Sequence, residues 1–100
     1  MLPLVSLMKI SELIWLQQIV DKLEAKHKIT LEEVEEVFSN RPEFRFIEDG
    51  NIAGENVYAA YGQTDAGRYV TTIFILKPRG HALIITARDM DRKERRRYGK

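Results

Sequence analysis

Two apolar runs joined by a short turn constrain the fold of this chain more than any other feature. Residues 68–76 (RYVTTIFIL) and 81–88 (HALIITAR) are rich in β-branched and aromatic side chains, which favour strands that are covered on much of both faces. Between them, residues 77–80 (KPRG) contain a proline, which fixes φ, and a glycine, which tolerates positive φ. The sequence therefore predicts an antiparallel hairpin at the centre of a sheet.

Helical signals lie on both sides of this hairpin. A first helix is predicted from residue 16 onwards by apolar residues at helical spacing, and it ends at the Lys-His-Lys triplet of residues 26–28. Thr30 and Glu33 have the spacing of a capping box for a second helix, whose glutamates are expected to face water. Asp91 and Glu94 repeat that spacing for a closing helix at about residues 92–98. The buried stripe of the first helix is predicted to be Leu16, Ile19, Val20 and Leu23.

The remaining segments complete a single α+β domain over residues 1–100. Residues 44–47 and 57–61 are predicted strands, and residues 9–15 fit either a short strand or the start of a helix. We expect two N-terminal helices packed on a mainly antiparallel sheet of three to five strands, followed by a short C-terminal helix. Residues 1–8 are expected to be disordered or an extension of the domain, with Met8 as an alternative start.

Composition excludes several functional classes. The chain has no cysteine, so it has neither a disulfide framework nor a thiolate metal site. No apolar run reaches the roughly 18 residues of a membrane span, and no pair of histidines or carboxylates has metal-ligand spacing in a suitable context. We therefore expect no membrane, no metal and no other cofactor, and a reducing cytoplasmic location.

Charge is divided unevenly between two parts of the chain. Residues 1–66 carry 6 Lys/Arg against 12 Asp/Glu (net −6), whereas residues 67–100 carry 10 against 3 (net +7). Such asymmetry indicates a polyanion or an acidic partner for the basic part. The alternative is that the two parts neutralise each other within one fold.

Arginines are predicted to gather at the end of the sheet away from the hairpin turn. Pairing around the turn places Arg68 opposite Arg88 or within two residues of it, which destabilises a sheet unless an anion or a carboxylate lies between them. The closing helix adds Arg92, Arg95 and Arg96 on one face. Because guanidinium groups bind phosphate bidentately, a nucleic acid is the leading ligand. Ion pairs with the glutamates of the second helix, or a protein-partner surface, are the alternatives.

Few side chains can move protons near neutral pH or donate to an oxyanion. These are His27, at a helix end, His81, beside the hairpin turn, and Tyr98 in the closing helix. A lone histidine can equally be structural. Tyr61 and Tyr69 fit either base stacking or the core.

These residues make the chain resemble the BrnT family of type II toxins, which share the RelE/ParE-like fold. The resemblance covers roughly residues 15–98 and implies a RelE-like domain. It rests on Trp15, the Lys26-His27 pair, the helix of residues 30–38 (TLEEVEEVF), Ala60-x-Gly62, Gly67-Arg68, Thr86-Ala87-Arg88 and Glu94-Arg95-Arg96-x-Tyr98.

The resemblance implies a metal-independent endoribonuclease that is neutralised by a BrnA-like antitoxin protein. In such toxins the 2′-hydroxyl of RNA attacks the adjacent phosphate, while lysine, histidine and arginine side chains move protons and stabilise charge. The implied catalytic residues are Lys26, His27, Arg68, Arg88 and Tyr98, and the implied RNA-binding residues are Arg92, Arg95 and Arg96.

The chain departs from the usual family pattern at five positions. Leu16, Ile19 and Leu23 stand where the family commonly has aspartate, lysine and asparagine. Lys28 stands where glycine usually follows the histidine, and Val57 stands where an arginine is usual. Two hypotheses follow: an endoribonuclease that cleaves RNA at a phosphate held by arginines, or a non-catalytic RNA- or protein-binding domain with the toxin fold. A third is a homo-oligomer that forms through the apolar residues 16–23.

Overall fold

The computed structural model describes residues 9–98, which form a five-stranded mixed sheet and three α-helices. A π-helical turn, Leu23–His27, extends the first helix, and a 3₁₀ turn, Pro78–Gly80, joins the last two strands. The predicted α+β class is confirmed, and the expectation for residues 1–8 lies outside the described residues. The elements are β1 (Glu12–Ile14), α1 (Gln17–Lys22), α2 (Leu31–Ser39), β2 (Glu43–Glu48), β3 (Val57–Gln63), β4 (Tyr69–Lys77), β5 (His81–Asp89) and α3 (Arg92–Tyr98).

The sheet has the strand order β1-β5-β4-β3-β2, so the predicted hairpin of β4 and β5 lies inside it. β1 runs parallel to β5, and the other neighbours are antiparallel. Ser11 holds β1 to the hairpin turn, because its amide donates to the Gly80 carbonyl (2.9 Å) and its hydroxyl to the Arg79 carbonyl (2.7 Å). Gly80 has a φ of +76°, and a Cβ there would lie 2.6 Å from the Lys9 carbonyl oxygen. A side chain at residue 80 would therefore disturb the attachment of β1.

A β-bulge in β5 changes the register of the central hairpin. The extra residue is Ile85, and beyond it Arg88 pairs with Thr71. Without that residue Arg88 would pair with Val70, two positions from Arg68. The observed separation is three positions, so the prediction that the two arginines lie within two residues of one another is wrong. A bulge inserts one unpaired residue into one strand, and the turn sequence gives no sign of it.

The two faces of the sheet are covered by different helices. α1, its π-helical extension and α2 lie over one face and enclose the core, whereas α3 lies against the other face near β3. Phe38, Phe44 and Tyr58 pack around the ring of the buried Phe74. The buried core comprises Leu23, Ile29, Val34, Val37, Ala60, Val70, Phe74, Ala82, Ile84 and Ala87.

Both predicted capping boxes form. The Thr30 hydroxyl accepts from the Glu33 amide (3.1 Å), and the Glu33 carboxylate accepts from the Thr30 amide (3.0 Å). Asp91 and Glu94 make the same reciprocal pair at 2.8 and 2.9 Å, so α3 begins where it was predicted. The predicted stripe of α1 is only partly correct, because Leu23 is buried but Leu16, which precedes the helix, is 42% exposed.

Candidate functional site

The predicted site residues lie at the end of the sheet where β4 begins, β5 ends and α3 starts. The strand alternation divides them between the two faces. Arg68 contacts α2 on the face that α1 and α2 cover, whereas Arg88 contacts α3 on the opposite face. The two guanidinium groups therefore do not bind a single anion together. Both contact Asp89, Arg68 through the Asp89 carboxylate and Arg88 through the Asp89 carbonyl.

Arg68 clamps three elements together through all of its donors. Its Nε donates to Asp89 Oδ1 (2.7 Å), and its two terminal nitrogens reach the carbonyls of Lys28 (2.7 Å) and His27 (2.9 Å). The remaining hydrogens point to Glu33 and to Asp89 Oδ2, each at 3.4 Å. A guanidinium has five N–H donors, and here each of them has a partner. Arg68 therefore ties the last carbonyls of the π-helical turn to the ends of the sheet and to the start of α2.

This clamp has electrostatic consequences. Hydrogen bonding to Asp89 is the largest cause that raises the pKa of Arg68, with the Asp89 and Glu33 charges adding to it against burial, which lowers it. The same hydrogen bond lowers the pKa of Asp89, against burial, with help from the charges of Arg68 and His27. The expectation that every glutamate of α2 faces water is wrong for Glu33, whose side chain is only 27% exposed. For Arg68, the alternative of an ion pair with α2 is correct.

Arg88 makes a different kind of pair with Glu94. Its two terminal nitrogens donate to the two carboxylate oxygens at 2.7 and 2.8 Å, and one of them also donates to the Asp89 carbonyl (3.2 Å). The Thr71 hydroxyl (3.0 Å) and the Asp91 amide (2.9 Å) complete the shell of Glu94. Among the described residues, Nε and one Nη2 hydrogen of Arg88 have no acceptor. Arg88, unlike Arg68, can still donate to a ligand.

The environment keeps Glu94 ionised. Its side chain is only 16% exposed, and this burial by itself raises the pKa. The hydrogen bonds from Arg88, the Asp91 backbone and Thr71, together with the Arg88 charge, outweigh burial, so the pKa of Glu94 is lowered. The Arg88–Glu94 pair therefore anchors α3 to the sheet in its charged form.

One side of α3 carries a row of arginines beside Tyr69 and Tyr98, whose rings meet edge to face. Arg92, Arg95 and Arg96 line an open depression of about 630 Å³ together with Tyr69 and Met90. The Arg95 guanidinium lies 4.2 Å from the centre of the Tyr69 ring. Within residues 9–98 none of these three arginines pairs with a carboxylate, and α2 lies on the other face of the sheet. The alternative of pairing with the α2 glutamates is therefore wrong for these three.

The remaining candidates occupy distinct positions. Lys26 is exposed and His27 half-buried at the end of the π-helical turn, where the Arg68 clamp holds the His27 carbonyl. Tyr98 packs edge-on against Tyr69 with a ring separation of 6.0 Å. His81 lies beside the hairpin turn, where its Nε2 is 3.6 Å from Glu12. The histidine nearest the arginines is therefore His27.

Sequence reasoning missed Asp89 and Thr71 as parts of this site. Asp89 directly follows Arg88, and its charge next to an arginine was the available signal that a carboxylate serves the arginine end. Thr71 gave no signal, because its contact with Glu94 depends on the bulge that places it opposite Arg88.

Comparison with known protein families shows to which family the chain belongs. A family model described as "Ribonuclease toxin, BrnT, of type II toxin-antitoxin system" matches residues 15–94. The chain belongs to the BrnT family. The resemblance inferred from its motifs is thus confirmed, and membership in a type II toxin family implies an antitoxin protein partner and an RNA target. No curated protein matches the chain significantly.

The five departures from the usual BrnT pattern lie in different surroundings. Lys28, which replaces a glycine, has a φ of +55°, in the left-handed region that favours glycine, and its carbonyl accepts from Arg68. Leu23 belongs to the core and is 1% exposed, whereas Leu16 is 42% exposed. Ile19 is half-buried against the core. Val57 pairs with Ile75 at the end of β3 that lies away from the arginines. The substitution at Leu23 is therefore part of the packing of this chain, and the one at Val57 is remote from the arginine end.

The described residues offer neither a metal site nor a membrane-spanning helix. Between residues 9 and 98 no group of three histidines or acidic residues is placed to hold a metal ion. In the same range no helix is long and apolar enough to span a membrane.

Proposed function

We propose that this BrnT-family chain is a metal-independent endoribonuclease with a RelE-like fold, and that its RNA lies across α3. The observation that carries the proposal is the row of Arg92, Arg95 and Arg96 beside Tyr69, with no carboxylate partner in the described residues. Unpaired arginines bind phosphates, and a half-buried aromatic ring beside them such as Tyr69 can stack on a base with its open part. Membership in a ribonuclease toxin family favours RNA over other polyanions.

In this proposal RNA is cleaved by its own 2′-hydroxyl. The O2′–P bond forms and the P–O5′ bond breaks, which leaves a 2′,3′-cyclic phosphate and a 5′-hydroxyl. His27 accepts the proton of the 2′-hydroxyl, and Lys26 supplies a proton to the departing O5′. In this proposal the scissile phosphate lies at the end of the sheet, where the two faces meet, so that His27 and Lys26 reach it from one face and Arg88 from the other. Arg88 uses its free N–H donors to stabilise the negative charge on the phosphate, and Tyr98 donates a hydrogen bond beside it.

The contacts of Arg68 favour a positioning role over direct phosphate binding. All five of its N–H groups are engaged, two of them with the carbonyls of His27 and Lys28. Holding these carbonyls fixes the end of the π-helical turn that carries the proton-transfer groups. A guanidinium that must give up a carboxylate to bind phosphate gains less than one with free donors.

The partner in this proposal is a BrnA-like antitoxin protein, and the site of action is the cytoplasm, where the target RNA is translated. The neighbouring reading frame is the first candidate for the antitoxin. Adding its purified product to a cleavage reaction should stop the release of RNA fragments.

A non-catalytic binding domain is the second candidate. Two observations favour it: Arg68 has no free donor, and the apolar Leu23 is buried in place of a polar residue that is common in the family. This candidate uses the same face of α3, so both predict RNA binding. Only cleavage distinguishes them.

The deciding experiment is incubation of the pure protein with a defined messenger RNA, with and without EDTA, beside two variants that break the same ion pair. Arg88→Ala removes the guanidinium and should lower the cleavage rate by roughly 100-fold or more, as removal of a charge-stabilising donor does. Glu94→Gln breaks the charged pair but keeps the guanidinium, so measurable cleavage should persist.

Folding is checked for both variants by circular dichroism. The double variant Arg88→Ala/Glu94→Gln removes both charges, so it tests the fold without an unpaired carboxylate. Cleavage that resists EDTA and is lost only with the guanidinium supports the proposal. Intact RNA with the wild-type protein, or equal cleavage by wild type and Arg88→Ala, contradicts it.

A further inference from the structure

A second cleft lies on the other side of α3, between this helix and the edge strand β2. It has a volume of about 510 Å³, within the usual range of sites for small ligands. Its walls come from β2, β3 and α3, on the face of the sheet that α1 and α2 leave uncovered. It is separate from the arginine row, because Lys93 and Arg97 line it whereas Arg92, Arg95 and Arg96 line the other depression.

Three cations converge on this cleft from two elements. Lys93 and Arg97 are four residues apart on α3, so they share one side of the helix, and Arg45 faces them from β2. All three are exposed, and within the described residues none of them pairs with a carboxylate. Their charges are therefore available to a ligand in the cleft.

The acidic residues of the cleft do not neutralise these cations. Glu94 is held by Arg88, and Asp91 accepts from the Glu94 amide as the cap of α3. Glu43 is the remaining carboxylate, at the exposed rim. The cleft thus offers three unpaired cations against two carboxylates that have no cation partner, Glu43 and Asp91, which still favours an anion.

Tyr61 provides an aromatic wall at the base of the cleft. It lies on β3 directly opposite Glu43 of β2, and it is half-buried. Its hydroxyl makes no hydrogen bond to the described residues and is not enclosed. Burial, followed by the Glu94 charge, raises the pKa of Tyr61 against the effect of Arg45, Arg88 and Arg97, so the phenol stays protonated and can donate.

We infer that this cleft binds one nucleotide of single-stranded RNA, with its base against Tyr61 and its phosphate between Arg45, Lys93 and Arg97. The inference rests on the proposed function and extends it to a second RNA contact. α3 then forms a ridge with cations on both sides, and a strand that crosses the ridge contacts the arginine row and the cleft in turn. An aromatic wall combined with a basic groove is the usual way in which proteins hold single-stranded nucleic acid.

The test measures binding of a fluorescein-labelled oligoribonucleotide in which every 2′-hydroxyl is methylated, so that it cannot be cleaved through that group. Fluorescence anisotropy is recorded over a series of salt concentrations. Arg45→Gln/Arg97→Gln should lower the affinity and reduce the slope of log K against log salt by up to about 0.7, the value for one phosphate contact to a single strand. The control Lys9→Gln/Lys22→Gln removes the same charge from exposed positions outside the cleft.

A second pair of variants tests the stacking. Tyr61→Leu should weaken binding by roughly ten-fold, whereas Tyr61→Phe, which keeps the ring, should stay within about three-fold of the wild type. Circular dichroism confirms that each variant is folded before its affinity is compared.

The outcomes separate this inference from the proposed function. If the wild type cleaves unmodified RNA but the Arg45/Arg97 variant and its control bind equally well, the cleft inference is overturned alone. Equal binding by Tyr61→Leu and Tyr61→Phe overturns the placement of the base. If the wild type neither binds the methylated oligonucleotide nor cleaves unmodified RNA, the proposed function fails as well.

Discussion

Replacing Arg68 tests whether this arginine is a structural clamp or a phosphate ligand. The side chain is 27% exposed and contacts two carbonyls and two carboxylates. Asp89 is 65% exposed, so that pair contributes at most about 1 kcal/mol. The two carbonyl contacts add about 1 kcal/mol each at this partial exposure. With the long contact to Glu33 adding little, Arg68→Ala should lower the free energy of unfolding by about 3 kcal/mol.

Such a loss is easily measured in a domain of this size. It corresponds to a fall in Tm of roughly 12–24 °C. Urea unfolding followed by far-UV circular dichroism gives the free energy directly, with Arg96→Ala as a control that removes the same charge from a position without a described partner. Arg68→Lys should fall between the two, because an ammonium group keeps the charge but cannot reproduce the planar fork.

The reasoning is refuted if Arg68→Ala and Arg96→Ala differ by less than about 0.5 kcal/mol, the usual range for surface substitutions. If the Arg68→Ala variant keeps its stability but loses cleavage, Arg68 binds the phosphate directly instead. Lower stability together with cleavage that recovers at lower temperature would support the clamp.

Two further predictions concern the surroundings of Glu94. Thr71→Val should lower the free energy of unfolding by about 1 kcal/mol, because it removes the hydrogen bond to Glu94. Thr72→Val should be neutral or stabilising, because the buried Thr72 hydroxyl has no described partner. Chemical denaturation compares the two variants, and equal effects on stability would contradict the assignment. The lowered pKa of Glu94 means that its ionised form stabilises the native state above the unfolded pKa of about 4.3, and this contribution is lost as pH falls through the lower folded pKa. Urea midpoints between about pH 7 and pH 3 should therefore fall less steeply for Glu94→Gln than for wild type, and parallel curves would refute the linkage.

The elements with local signals were predictable from the sequence. The β-branched composition of β4 and β5 and the proline-glycine turn between them specify the hairpin without any distant contact. The capping boxes at Thr30 and Asp91 likewise fix the starts of α2 and α3, because the side chain and the amide that it caps are three residues apart. These parts of the fold depend on neighbours in the chain.

The parts that depend on distant neighbours were not predictable in the same way. β1 is a strand because Ser11 reaches the turn at Arg79, and its three residues alone also fit a helix start. The bulge at Ile85 adds one position to β5 and thereby brings Arg88 opposite Thr71 on the α3 face. That single residue explains why two arginines expected to share one anion each bind a carboxylate instead.

The fold also explains what happens to the opposite charges of the two parts of the chain. Neutralisation across them is limited in the described residues to Arg68–Glu33, Lys77–Glu55 and the His81–Glu12 contact. The unpaired cations of α3 lie on one face of the sheet, and the glutamates of α2 lie on the other. A polyanion is therefore attracted to α3 and repelled from α2, and under the proposed function this charge pattern directs RNA to the α3 face. An acidic partner that inhibits by covering α3 would use the same field, and RNA binding and such inhibition would then weaken together as salt concentration rises.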